Sequence, residues 1–347
     1  MFTRRKTKVI SVGGVKIGGD NPMVVQAMAK TEATNIRGII REINSLEKAG
    51  AKIVRLAIPD EESARALREI KKEVAVPLIA DIHFQARLGE MAIENGADGI
   101  RLNPGNIRRE SDWERLARIC RERDIPIRVG VNSGSIAREY RRYPLPQAMV
   151  ENALHYIKIL EKNSFNLIKI SLKASSIRET IEAYGLMARH SPYPFHLGIT
   201  ASGPFHPGMI KSSIGLGILL SQGLGDTLRV SLTAPALKEV QIAYEILSFL
   251  GLSSQGPELI SCPTCGRCQV DLKKIVREAE KKLKHIKSPL KIAIMGCPVN
   301  GPGEAREADI GLACGKGKAI LFKHGRAIRT VSQDKMVSTL FKEIEGE

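Results

Sequence analysis

Ile127-Arg128-Val129-Gly130-Val131-Asn132 is the stretch on which the fold turns. Alternate side chains of an extended strand point to opposite faces. This hexapeptide therefore shows Ile127, Val129 and Val131 on one side, and Arg128 and Asn132 on the other. The pattern recurs along the chain. The apolar parity continues through Val54 and Leu56, Ile100 and Leu102, Ile168, Ile170 and Leu172, Phe195, Leu197 and Ile199, then Leu228, Val230 and Leu232. The opposite parity carries Gln26, Arg55, Asp81 and His83, Arg101 and Asn103, Lys169, Ser171 and Lys173, His196 and Thr200, Arg229 and Ser231.

Strand-like runs near 23–28, 52–58, 78–83, 98–103, 126–132, 166–173, 195–201 and 226–232 alternate with helical stretches. The helices read near 35–49, 60–73, 85–95, 111–123, 146–163, 176–190, 209–222 and 236–250. Eight β-then-α units over about 250 residues is the count and length of a (β/α)8, TIM-type barrel in the α/β class. A small hairpin around Gly13-Gly14 precedes it at residues 8–17. The apolar parity should pack outward on the helices and the other parity should point inward. An ordinary barrel interior is filled by Val, Ile and Leu. This one would hold Arg55, Arg101, Arg128, Lys169, Lys173 and Arg229 against Asp81 as its clear acid. Burying like charges without a counter-ion is prohibitive, so the expectation is a wet cavity that accepts an anion. Arginine's planar fork matches phosphate oxygens, and a diphosphate is the natural guess. The bland alternative, for any one arginine, is solvation at a strand end or pairing with a helix acid.

The chain has 347 residues, with 53 Lys and Arg against 37 acids, a formal charge of +16 that calls for an anionic partner. Aromatics are 4%, too few for stacking platforms on single-stranded nucleic acid. Met1 to Lys8 is basic without an apolar h-region, and no apolar run approaches a membrane span. Domains are expected at 1–250 (barrel), 251–258 (a turn-rich linker beginning Gly251-Leu-Ser-Ser-Gln-Gly-Pro257) and 259–347, a small α+β domain. Within the last, the pattern predicts a basic helix near 270–285, strands near 290–295, 309–313 and 318–323, and a final helix near 332–345. The Lys281-Lys282…Lys284 cluster reads as a solvated helix face, or else a docking point for an acidic electron donor.

Six cysteines, four of them between residues 262 and 297, are not spread as a disulfide framework would be, which points to a reduced, cytoplasmic protein. Cys262-Pro-Thr-Cys265 with Cys297 far along the chain is metal-ligand spacing. Three identities compete: structural zinc, an iron–sulfur cluster on Cys262, Cys265, Cys268 and Cys297, or a cluster on Cys262, Cys265 and Cys297 with Glu304 as fourth ligand. A carboxylate is harder and more exchangeable than a thiolate, and would leave one iron open to a substrate oxygen. Cys120, among apolar neighbours, reads as core. Cys314, in a glycine-rich loop, reads as structural, and Cys268 is ambiguous.

Ala80-Asp81-Ile82-His83-Phe84, Arg101-Leu-Asn103-Pro-Gly-Asn106, Arg128-Val-Gly-Val-Asn132-Ser-Gly-Ser135, Gly225-Asp-Thr-Leu-Arg-Val-Ser231, Cys262-Pro-Thr-Cys265 and Asn300-Gly-Pro-Gly-Glu304 together resemble one family. It is the bacterial 4-hydroxy-3-methylbut-2-enyl diphosphate synthases in their two-domain form, and the similarity runs from about residue 5 to the C-terminus. The resemblance implies reductive ring opening and dehydration of 2-C-methyl-D-erythritol 2,4-cyclodiphosphate, on the non-mevalonate route to isoprenoids. It implies a [4Fe-4S] cluster on Cys262, Cys265, Cys297 and Glu304, without Cys268, fed with two electrons by ferredoxin or flavodoxin. It assigns the diphosphate to Arg55, Arg101, Arg128, Lys173 and Ser231, with Asn103, Asn132, Asp81, His83 and Thr200 lining the pocket. One position departs: the family's glutamate after Ile-Thr is Ala201 here. Asp81, His83 or a displaced Glu304 is then expected to take the acid/base role.

The last barrel helix should end at the face opposite the active site. Seven linker residues reach at most about 24 Å, too short for the second domain to cap its own barrel with ease. A head-to-tail homodimer, each cluster domain over the partner's barrel, is therefore expected, and the resemblance implies the same. The rival readings are a zinc-stapled RNA-binding protein and a barrel transferase on a phosphorylated, pterin-like substrate with structural cysteines.

Overall fold

Gly13 and Gly14, at φ 51° and 88°, turn β1 (Ile10–Val12) back onto β2 (Val15–Ile17) as an antiparallel hairpin. These left-handed angles are cheap only for glycine. The computed structural model describes residues 3–253, 256–283, 285–286 and 288–346, so Lys284 of the basic cluster lies outside the described residues. Two compact units divide the chain, Met1–Ser253 and Ser254–Glu347.

In the first unit β3 (Val24–Met28) is followed by α1 (Ile36–Lys48), β4 (Ile53–Ile58), α2 (Glu61–Glu73), β5 (Leu78–Ile82), α3 (Ala86–Glu94), β6 (Gly99–Leu102) and α4 (Glu110–Glu122). Then come β7 (Ile127–Asn132), α5 (Leu145–Lys162), β8 (Ile168–Lys173), α6 (Ile177–His190), β9 (His196–Leu197), α7 (Phe205–Ser221), β10 (Thr227–Leu228) and α8 (Ala236–Phe249). The eight strands run parallel in the order β8-β7-β6-β5-β4-β3-β10-β9, and a parallel bridge from Ile170 to Phe195 joins the two ends. Helices start where side chains satisfy free backbone N–H groups: Asn35 accepts from Gly38, Asp60 from Ser63 and Ser176 from Glu179, each such cap contributing about 1 kcal/mol.

The apolar parity packs outward as expected. Val54, Leu56, Ile100, Leu102, Ile127, Val129, Ile168, Ile170, Leu197 and Leu228 share one buried cluster with the helix faces. At the N-terminal ends of β3, β4 and β5, Val24, Ile53 and Ile79 pack with Ile10, Val12 and Ile17 of the hairpin. The hairpin is thus the apolar floor of the barrel, and the polar contents stand above it.

Three boundaries of the barrel differ from the sequence reading. β9 and β10 are two-residue strands rather than seven-residue runs. Beyond Leu197 the ladder gives way at Gly198, where a Cβ would lie 2.6 Å from Lys173 Nζ. α7 begins at Phe205 rather than 209, because Pro207 falls in its first turn, where a missing N–H costs nothing.

The second unit is an α+β body. Its sheet runs β11 (Glu258–Ser261), β12 (Lys291–Met295), β13 (Ile310–Gly315), β14 (Lys318–Lys323), β15 (Arg326–Ser332), the first three parallel and the rest antiparallel. Helices α9 (Leu272–Leu283), α10 (Gly301–Arg306) and α11 (Met336–Glu345) complete it. β11 takes Glu258 out of the expected linker. β15 is a strand the sequence reading lacks: it is an almost wholly exposed edge strand, so no buried face marks it, and a 3-10 turn at Gln333–Lys335 delays the last helix to Met336. Cys314 lies on β13, fully buried, rather than in a loop. Among the described residues, no helix is long and apolar enough to cross a membrane.

Candidate active site

The inward parity builds a cationic cage from neighbouring strands. Asp81 of β5 lies at its centre, 3.4 Å from Arg55 Nε of β4 and 3.2 Å from Arg101 Nη1 of β6. Burial alone would raise the Asp81 carboxyl, but Arg55, Arg101 and Arg128 hold it well below the usual carboxylate range. The Arg101 guanidinium also donates to the Gly130 carbonyl at 2.9 Å. Gly130 and Gly198 are glycines because the cage needs their space: a Cβ would stand 2.6 Å from Arg101 Nε and from Lys173 Nζ, respectively.

Arg128 and Lys169 pair across β7 and β8, 2% and 1% exposed, and Lys173 is also buried. Arg128 Nε and Nη1 and Lys169 Nζ have no hydrogen-bond partner among the described residues. Burial pushes all three well down, and the mutual repulsion of the arginines adds to it. As the inward parity leads one to expect, these long side chains fold into the barrel interior. Arg128 and Lys169 also line a crevice above the hairpin floor with Val12, Ile79 and Gly99, too narrow to hold a water molecule.

Asp81 is not the cage's single acid. Glu239, in the first turn of α8 and 2% exposed, lies 3.6 Å from Arg229 Nη2 and 2.9 Å from Lys30 Nζ, and accepts from the Leu232 N–H at 2.8 Å. Arg229 is thus paired with a helix acid, and burial lowers it to about 10 in spite of that partner. Sequence reasoning missed Glu239, although it falls in register with Ala236, Val240, Ala243 and Leu247, the buried stripe of α8. A carboxylate on such a stripe is the signal that could have found it.

The remaining expected residues divide. Asn103 braces a loop, its Oδ1 accepting from the Gly105 N–H and its Nδ2 donating to Ser135 Oγ, both at 3.0 Å. Asn132 ends β7 beside Lys173, and Thr200 and Ser231, both half-buried, follow β9 and β10. His83 follows β5 with its Nδ1 buried and without a hydrogen-bond partner among the described residues. Fully buried His196 is held by Thr227 Oγ1 at 2.8 Å. Ala201 is exposed at φ 49°, a left-handed conformation that is strained for any side chain.

The second unit gathers the cysteines by itself. Cys262 follows β11, and its Sγ accepts from the Gly296 N–H at 3.4 Å. Cys297 follows β12, and N–H groups of Asn300, Val299 and Gly301 point at its sulfur, lowering it, with Arg267 adding to the effect. Arg267 also lowers Cys265 through its backbone and side-chain N–H groups. Donors aimed at sulfur favour thiolates, the form that ligates metal. Glu304 is exposed on α10, the helix after Cys297. Among the described residues, no three His, Cys, Asp or Glu side chains converge on one point as a single ion requires. The thiolate-stabilising environment suits sulfur ligands, which structural zinc and iron–sulfur clusters both use. Cys120 is inert, burial pushing its thiol up, as expected of core. Lys281 and Lys282 line a hollow of about 760 Å³ between α9 and the start of α11, where Asp271 and Asp334 also stand.

A family model described as the GcpE TIM-barrel domain matches residues 7–244, and one for the GcpE protein C-terminal domain matches residues 258–346. A 4-hydroxy-3-methylbut-2-en-1-yl diphosphate synthase (flavodoxin) from Thermodesulfovibrio yellowstonii is 50% identical over 99% of this chain and 99% of its own length. One of the same name from Persephonella marina is 50% identical over 100% of this chain and 99% of its own. Among solved structures, dihydropteroate synthase from Stenotrophomonas maltophilia aligns with a TM-score of 0.53 at 13% identity, over 69% of this chain and 98% of that one. Phospho-2-dehydro-3-deoxyheptonate aldolase from Thermotoga maritima aligns at 0.51 and 14%, over 71% and 75%. At such identities these two likenesses concern the barrel fold alone.

Proposed function

The chain belongs to the GcpE family, and on that premise we propose that it is an oxidoreductase, a 4-hydroxy-3-methylbut-2-en-1-yl diphosphate synthase of isoprenoid biosynthesis. Its substrate is 2-C-methyl-D-erythritol 2,4-cyclodiphosphate, opened and dehydrated with two electrons from flavodoxin, the donor in the relatives' names. Ferredoxin is the alternative donor. The observation that carries this reading is the cage of Arg55, Arg101, Arg128 and Lys173, buried beyond the charge that Asp81 can offset.

Those four cations bind the diphosphate, offset its charge and fix its orientation. Thr200, Asn132 and Ser231 offer neutral polar groups beside them, while Asn103 keeps the β6 and β7 loops in register. Asp81, held ionised, is a poor proton donor at neutral pH, and its work is to align Arg55 and Arg101. His83, with an unpartnered Nδ1, is the group that holds and delivers a proton in place of the glutamate that Ala201 replaces.

Cys262, Cys265, Cys297 and Glu304 would hold a [4Fe-4S] cluster, which when bound supplies the electrons and an open coordination position. The six free cysteines suit a reducing compartment such as the cytoplasm. Nucleic acid and membrane are not partners in this reading. The working unit is a homodimer in which the cluster unit of one chain serves the barrel of the other. Mixing a Cys297→Ser chain with an Arg128→Met chain should restore part of the activity that each lacks alone; no rescue in mixed dimers would refute the sharing. Protein purified without oxygen should be brown and contain iron. A colourless protein carrying stoichiometric zinc and binding RNA would favour the zinc-stapled alternative.

A further inference from the structure

Cys268 is the thiol of the Cys262–Cys268 loop that has no role so far. Its N–H donates to the Cys265 carbonyl at 2.9 Å, which tightens the loop. The next residue pins that loop in place: the Gln269 N–H donates to the Gly296 carbonyl at 2.8 Å, and Gln269 Oε1 accepts from the Lys316 N–H at 2.9 Å. The half-buried Cys268 sulfur is consequently held against Gly296. A Cβ at position 296 would stand 2.5 Å from Cys268 Sγ and 3.5 Å from Cys262 Sγ. Two sulfurs thus share the space left by one missing side chain, and they stand no farther apart than the sum of those distances. Cys268 Sγ is otherwise engaged through a weak contact to the Val270 carbonyl at 3.3 Å. Cys314 is a different case. It is buried against Met336 Sδ at 3.8 Å, and burial, with Cys268 and Cys262 nearby, pushes its thiol up to about 12.

The other candidate for the fourth ligand is exposed and sits on a six-residue helix. A carboxylate is also the harder donor, and iron–sulfur centres favour thiolate. A thiol in the same short loop as two ligands, with its sulfur beside one of them, competes for the position Glu304 would fill. We propose that Cys268 is an exchange ligand: it takes the fourth coordination position when the Glu304 carboxylate leaves, and closes the cluster with four thiolates while substrate is absent. The exchange releases the Cys268 proton to solvent and leaves the carboxylate free, with no change of oxidation state. This inference rests on the iron–sulfur reading above.

The test uses full-length protein reconstituted with iron and sulfide without oxygen, as wild type, Glu304→Ala, Cys268→Ser and the double variant. Iron per chain, its release to a chelator, and the electron paramagnetic resonance of oxidised samples are measured without substrate. Glu304→Ala alone should keep all its iron. The double variant should lose one iron per cluster and show a three-iron signal, releasing iron roughly tenfold faster or more, the scale on which lost metal-site partners act. If Glu304→Ala loses iron as readily as the double variant, or the double variant keeps it, Cys268 is not a ligand. Cys268→Ala in place of serine, with circular dichroism of each variant, separates a lost ligand from a misfolded domain. A wild type that takes up no iron overturns the iron–sulfur reading itself.

Discussion

Replacing Lys169 by methionine should stabilise the ligand-free protein. The Lys169 side chain is 1% exposed, has no hydrogen-bond partner among the described residues, and lies next to Arg128 in the strand register. Burial, then Arg128 and Arg55, push its pKa well down. Exchanging a poorly compensated buried charge for an apolar side chain of similar volume is often worth about 1–4 kcal/mol of stability. At about 2–4 °C per kcal/mol for a unit of this size, the melting temperature should rise by about 2–16 °C. The pH dependence carries a second sign. Between the lowered folded pKa and about 10.4, the unfolded chain holds a proton that the folded chain has released. Wild-type stability therefore rises with pH across that window, by about 1.4 kcal/mol per unit for each such proton. Lys173 acts in the same direction, so Lys169→Met should flatten the slope and not abolish it. Its advantage should shrink towards pH 10. Thermal melts of both proteins from pH 6 to 10 measure this. A variant that melts lower than wild type at pH 7, or a gain independent of pH, would refute the reasoning.

Asp81→Asn leaves Arg55 and Arg101 facing each other unpaired, and should cost about 3–5 kcal/mol in the free protein. Calorimetry should show that loss partly restored by pyrophosphate, which should raise the melting temperature more than it does in wild type. Glu239→Gln releases Arg229 and Lys30 together; steady-state kinetics should show KM raised about tenfold, roughly 1.4 kcal/mol, with kcat little changed. Gly130→Ala puts a Cβ 2.6 Å from Arg101 Nε. It should weaken diphosphate binding in titration calorimetry while the circular dichroism spectrum stays the same.

The barrel was legible because its strands are written in two alphabets. Val54, Leu56, Ile127 and Val129 face the helices, and Arg55 and Arg128 face the interior, which is what period two dictates. Partners set by tertiary contact were not legible. Glu239 reaches the cage from a helix; Ala236-Leu-Lys-Glu239 alone does not tell an exposed first-turn acid from a buried one, and only its place on the apolar stripe through Val240, Ala243 and Leu247 marks it. The hairpin was evident from Gly13-Gly14, but its task as a floor depends on Val24, Ile53 and Ile79 closing over it. β15 escaped because an exposed edge strand has no buried face to mark it. Asn103 was read as a pocket residue on its type alone, and its task of bracing the β6 and β7 loops depends on Gly105 and Ser135, which only the fold brings to it.

The most direct test supplies 2-C-methyl-D-erythritol 2,4-cyclodiphosphate and reduced flavodoxin to iron-loaded protein without oxygen, and follows the products by mass spectrometry. The account predicts that the cyclic compound disappears and the open-chain allylic diphosphate accumulates, with neither change in Arg128→Met or in iron-free protein. Iron-loaded, reduced protein that leaves the cyclic diphosphate intact would contradict it.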